Sequence, residues 1–151
     1  MANQVERSLI PALFEQLQTE KFVTLSTVDH ESSGPNVSAI SWVFAKDEQT
    51  VFFAVDQRSR IVENIKKNSL VVINLIANES TYSIGGKAVI HQSKLDGVPL
   101  KLTLFKLDID EVRDVMFYGS KISTEPTYEK TYDKNAADRL DRQVIEAMKD
   151  A

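Results

Sequence analysis

The sequence predicts a mostly antiparallel β-barrel with flanking helices, mainly β within the α+β class. Two observations carry this expectation. Six or seven stretches rich in β-branched and aromatic residues stand against three with helical spacing. The strands also follow one another too closely for the crossovers that parallel pairing needs. No Pro/Gly/Ser-rich linker interrupts the 151 residues, so a single domain over 1–151 is expected.

Val5, Leu9, Ile10, Leu13, Phe14 and Leu17 recur at helical spacing, but a proline inside a helix costs about 3 kcal/mol. The first helix is therefore expected to begin near Pro11, with Pro in its first turn, and to run to about Thr19. Phe22 to Val28 reads as a strand with two semi-apolar faces, which suits a central position. Asp29 to Pro35 is turn chemistry. Asn36 to Ala45 and Thr50 to Val55 read as the two strands of a hairpin, joined by the polar Lys46-Asp47-Glu48-Gln49.

A short helix is expected from Ser59, with Ile61, Val62 and Ile65 on one face. Leu70 to Ala77 has the continuous apolar character of a buried strand. Asn74 interrupts it and needs a partner, either neighbouring backbone or a ligand. Thr81 to Gln92 is a further strand, in which Gly85-Gly86 signals a bulge or a close approach. Leu95 to Pro99 supplies a turn. Leu100 to Phe117 alternates as one long bent strand or two successive ones. Gly119 to Asp133 reads as a loop whose Tyr128 and Tyr132 could close over something. Ala137, Leu140, Val144 and Met148 then mark a terminal amphipathic helix.

A net charge of −4 and a pI near 5.2 argue against nucleic acid as a partner, because neutralising many phosphates needs a basic surface. The absence of cysteine excludes disulfides and thiolate metal sites. No stretch resembles a signal core or a membrane span, so a cytoplasmic protein without membrane contact is expected. No Gly-rich dinucleotide or phosphate loop and no nucleophile elbow occurs. His30 and His91 lie far apart, without neighbouring ligand motifs, and are expected on the surface. Asp108, Asp110 and Glu111 read as a solvated strand edge rather than a metal or acid/base cluster. With side-chain chemistry this thin, any reaction is expected to be carried by a cofactor.

One stretch does suggest a ligand. Asp56-Gln57-Arg58-Ser59-Arg60 joins a strand to a helix. Ser59 is a good N-cap, and a helix N-terminus flanked by two guanidinium groups can receive an anion of phosphate size.

In order and spacing, these pieces resemble the FMN-binding split barrels related to pyridoxamine phosphate oxidase. The resemblance covers residues 11 to about 118. It rests on the leading helix, FVTLSTVD, Gly34-Pro35, NVSAISWVFA, TVFFAVD, SRIVENIKKN, an apolar strand and Gly86-Lys87-Ala88. It implies a six-stranded antiparallel split β-barrel and a homodimer with FMN at the dimer interface. It also implies an oxidoreductase acting on a small molecule of unknown identity. The flavin would lie along the strand of residues 38 to 42, at Ser38, Ile40, Ser41 and Trp42, with main-chain groups bonding the ring edge. Its phosphate would sit at Val55, Asp56, Arg58, Ser59 and Arg60, with Arg58 either joining the phosphate or pairing Asp56. The alternative is a split barrel that binds flavin or haem as a carrier, sensor or stress protein without turnover. Three positions depart from the family pattern. Ile61 stands where lysine is common, Asp56 where a small hydroxyl residue is common, and Ser38 where a cation is frequent.

Overall fold

The computed structural model describes residues 5–151. Its strands are β1 (Val5–Glu6), β2 (Val23–Val28), β3 (Pro35–Ile40), β4 (Val43–Asp47), β5 (Thr50–Asp56), β6 (Leu70–Ala77), β7 (Ser80–Gln92) and β8 (Leu102–Asp114). Its helices are α1 (Pro11–Gln16), α2 (Arg60–Lys67) and α3 (Lys134–Asp150). All strand pairs are antiparallel, in the order β3-β2-β6-β7-β8-β5-β4, and β1 adds to β8.

The expected class is present, but the sheet has eight strands rather than six. One addition is the short β1. The other arises because Asn36 to Ala45 is not one strand. It breaks at Ser41-Trp42 into β3 and β4, which are the two ends of the sheet. The hairpin is therefore β4–β5 alone. Both halves of the stretch are strand-like, so composition could not reveal that the chain turns a corner from one edge of the sheet to the other.

That corner brings the two sheet edges together around the main core. Val23, Leu25, Val43, Phe53, Ile73, Ile84, Phe105 and Leu107 point into it from the strands, and Leu13 of α1 and Ile61, Val62 and Ile65 of α2 close it. A second cluster lies outside β4, β5 and β8, where α3 covers Phe44, Phe52, Ala54, Leu102 and Leu104 with Val144, Ile145 and Met148. Burial on both faces explains the unbroken apolar run of β5. Among the described residues no helix covers the outer face of β3, β2 and β6, and β2 alternates accordingly. Val37 of β3 and Leu70 of β6 are exposed there to 61% and 52%.

Gly86 is a place where only glycine fits. The β7–β8 register shifts beside it, and a Cβ there would lie 2.0 Å from the Asp108 carbonyl oxygen. Asn74 takes the backbone option, donating from Nδ2 to the Tyr82 carbonyl (3.0 Å) and to Thr81 Oγ1 (2.7 Å). No helix among the described residues is long and apolar enough to cross a membrane.

Candidate functional site: the corner between β5, α2 and the β2–β3 turn

α2 begins where the sequence places it. Ser59 is its N-cap, and Ser59 Oγ accepts from the Ile61 N–H at 3.1 Å. The Val62 N–H donates to the Ser59 carbonyl at 3.1 Å. Two of the helix's first donors are thus satisfied from within the chain.

The two arginines are also engaged. Arg58 donates from Nε and Nη2 to Asp56 Oδ1 and Oδ2, both at 3.3 Å, and its backbone N–H reaches Asp56 Oδ1 at 2.7 Å. Arg60 turns to the β2–β3 turn, donating from Nε to Asp29 Oδ1 at 2.6 Å and from Nη2 to Asp29 Oδ2 at 3.1 Å, a bidentate fork. Asp29 Oδ2 also accepts the N–H groups of Ser32 (3.0 Å) and Glu31 (3.2 Å). The hydrogen bond from Arg60 and those backbone donors hold the Asp29 carboxyl well below the ordinary carboxylate range. Glu31 stands 3.5 Å from the same guanidinium. Asp29, Glu31 and Asp56 thus set three carboxylates against Arg58 and Arg60.

Beneath this pair, Asn64 is fully buried and joins α2 to both strands of the sheet edge. Its Nδ2 donates to Thr27 Oγ1 (2.9 Å) and Asn36 Oδ1 (3.2 Å), and its Oδ1 accepts the His30 N–H at 2.9 Å. His30 Nδ1 lies 2.8 Å from that same oxygen. His30 is therefore half-buried and tethered rather than a free surface residue. His91 is exposed and stacks on Phe52. Among the described residues no group of three or more His, Cys, Asp or Glu could hold a metal ion.

The nine residues singled out from sequence fall into three places. Asp56, Arg58, Ser59 and Arg60 form the corner just described. Ser38, Ile40 and Val55 belong to the barrel side: Ser38 pairs with Leu25, while Val55 lies in the core and Ile40 packs against it. β3 pairs only with β2 among the described residues, so its other main-chain edge is unpaired by strand. Ser41 and Trp42 occupy the turn between β3 and β4. Ser41 Oγ donates to Glu20 at 2.6 Å, and Trp42 Nε1 donates to Asp141 of α3 at 2.9 Å. Trp42 packs on the α3 cluster. Ile61, where the family often has lysine, points into the core at 5% exposure.

Sequence reasoning missed Asp29, Asn64 and the group around Lys130. Lys130 Nζ lies 2.6 Å from Glu20 and 3.0 Å from Asp141, fastening the 115–133 connection to the β3–β4 corner. Partial burial works against the charge on Lys130, but its hydrogen bonds to Glu20 and Asp141 outweigh that and raise its pKa above the ordinary value. Tyr128 packs beside it against Phe22, ring centroids 6.0 Å apart and planes tilted by 42°. Its phenol is pushed up to about 12, by burial first and then by the charge of Glu20.

An antiparallel sheet that turns from one edge to the other at a two-residue corner, with a short helix closing its core, defines the split-barrel class. Residues 9–116 match the family model described as pyridoxamine 5'-phosphate oxidase, and the chain belongs to that family. No curated protein matches the sequence. Among solved structures, a candidate pyridoxamine 5'-phosphate oxidase from Lactobacillus delbrueckii is similar at 20% identity and TM-score 0.63, over 74% of this chain and 98% of that one. HupZ from Group A Streptococcus is similar at 13% identity and TM-score 0.58, over 77% and 99%. General Stress Protein 26 from Bacillus anthracis is similar at 19% identity and TM-score 0.53, over 66% and 91%. At these identities the likeness is one of fold.

Proposed function

We propose that this chain is a flavin-binding protein of the pyridoxamine phosphate oxidase-like type. In this reading it forms a homodimer, takes its flavin as FMN by family resemblance, and acts as a flavin-dependent oxidoreductase on a small molecule. The observation that carries the reading is the unpaired main-chain edge of β3 beside the α2 corner. A flavin ring needs hydrogen-bonding groups along one edge and a flat wall beside them, and a free strand edge offers alternating N–H and C=O groups at the right kind of spacing. When bound, the flavin supplies the redox chemistry. The chain's own part is to orient the ring through β3 and to exclude water through a partner subunit.

The uncovered outer face of β3, β2 and β6 supports the dimer. Val37 and Leu70 are exposed on it, and an open cavity of about 650 Å³ lies between β2, β6 and β7, lined by Ser26, Val28, Pro35, Leu70, Val72 and Glu111. Contiguous apolar surface of this kind is characteristic of an interface. The apolar stretch Leu100 to Leu107 would be a second candidate for such a surface. Leu102, Leu104, Phe105 and Leu107 are instead buried within this chain, so the open face is the surface left for a partner.

The residues present fit the two ends of FMN unequally. The β3 edge suits the ring. The α2 corner does not suit the phosphate, because its cations and cap donors already have partners within the chain.

A carrier or sensor that binds flavin or haem without turnover is the second reading. The same internal pairing favours it, because a ligand without an ionic anchor exchanges more readily. The absorption spectrum of the purified protein tests the first reading: flavin bands support it, whereas a haem Soret band, or no binding of added flavin, overturns it. NAD(P)H oxidation with an electron acceptor then separates enzyme from carrier. Light scattering should return twice 17.0 kDa, and a monomer at micromolar concentration would remove the dimer.

A further inference from the structure

We propose that this chain recognises the flavin ring and not its phosphate, so that unphosphorylated riboflavin binds as well as FMN. The inference rests on the flavin reading above and concerns which form of flavin the site takes.

An anion socket needs donors and positive charge that the fold leaves unused. Arg60 is held by a bidentate fork to Asp29, and Arg58 is held by Asp56. Ser59 Oγ and the N–H groups of Ile61 and Val62 are used in capping α2. Asp29, Glu31 and Asp56 outnumber the two arginines, while Glu63 in the first helical turn is paired with Lys66 at 3.6 Å. A phosphate dianion brought to this corner must compete with Asp29, Glu31 and Asp56, which already draw on both guanidinium groups. The position from which a lysine would reach in holds Ile61, which is committed to the core. The ring end carries no such conflict, since the β3 main-chain edge is neutral and unpaired by strand.

Asp29 is the chief element of this exclusion. It lies 31 residues before Arg60 in the chain, and its backbone bonds to Glu31 and Ser32 fix its carboxylate towards the helix start. Asparagine at position 29 can keep those backbone bonds through its oxygen, but it has no charge with which to hold the guanidinium. Asp56 is exposed, so Asp56→Asn frees Arg58 at little risk to the fold.

Calorimetric titration of riboflavin and of FMN into the wild-type protein, Asp56→Asn and Asp29→Asn/Asp56→Asn tests the proposal. In the wild type the two dissociation constants should agree within about threefold. In the double variant FMN should gain at least about tenfold over riboflavin, the scale of one charge-assisted contact. Asp56→Asn alone should give a smaller gain in the same direction. A wild-type preference for FMN of tenfold or more overturns the proposal while leaving the flavin reading intact. Variants that bind FMN no better relative to riboflavin overturn it too, because the internal carboxylates then do not hold the arginines from phosphate. Binding of neither flavin to the wild type overturns the flavin reading and this proposal with it.

Discussion

Replacing Lys130 with methionine should loosen the attachment of the C-terminal helix. The ammonium sits 2.6 Å from Glu20 and 3.0 Å from Asp141, and the three side chains are exposed to 24%, 16% and 13%. Two carboxylates share one cation, and Lys130→Met leaves them facing each other in partial burial. An exposed ion pair is worth less than about 1 kcal/mol, whereas breaking a buried one costs about 3–5 kcal/mol. At these exposures a loss of about 2 kcal/mol is expected, which for a chain of this size lowers the Tm by about 4–8 °C. Methionine retains the aliphatic stem, so the loss reports charge and not volume. Adding Glu20→Gln and Asp141→Asn to Lys130→Met should restore most of the stability, because no uncompensated charge then remains. Trp42, the only tryptophan, bonds Asp141 directly, so its emission reports the same corner during urea unfolding. A Lys130→Met protein within about 0.5 kcal/mol of wild type, or a loss that the triple variant fails to recover, would refute this reasoning.

Gly86→Ala should destabilise by about 3 kcal/mol in urea melts, because the added Cβ meets a backbone oxygen that cannot swing aside. Gly85→Ala, whose Cβ would lie 3.7 Å from the Val72 side chain, should be far milder, and equal losses would contradict the stated cause. The depressed pKa of Asp29 means that the folded state favours its ionised form. Its contribution is therefore present above about pH 4 and is lost as the pH falls further, towards the lowered folded value. Urea melts from about pH 7 down to pH 3 should show a shallower acid loss in Asp29→Asn than in the wild type. Tyr128 should ionise only near pH 12, and its neutral phenol contributes stability below the ordinary tyrosine pKa of about 10 that is lost as the pH rises through the folded value. Ultraviolet titration of Tyr128→Phe should lack the step near pH 12, and a titration unchanged from wild type would count against the raised Tyr128 pKa.

The elements whose cause is local were legible in the sequence. Ser59 caps α2 because serine suits that position in any context, Gly85-Gly86 marked a real irregularity, and the spacing of Ala137, Val144 and Met148 marked α3. The partners of the site were not legible, because they lie far along the chain. Arg60 looked free beside Arg58, yet it is held by Asp29 from a turn 31 residues earlier. Glu20 and Lys130 meet across 110 residues, and neither stands in a motif. The corner at Ser41-Trp42 escaped for another reason. Strand propensity measures fit to a pleated surface and says nothing about which edge of a sheet a strand joins.

The family match ends at residue 116, whereas the apolar packing does not. Phe44, Phe52, Leu102 and Leu104 lie within the matched region, but they are covered by Val144, Ile145 and Met148, which lie beyond it. The matched unit and the packed unit of this chain therefore differ in extent. The strands of the matched region are covered by a helix outside it, and a change in that helix reaches them through the surface it keeps dry. Trimming the chain to its family boundary would bare an aromatic wall on β4 and β5, a surface prone to self-association.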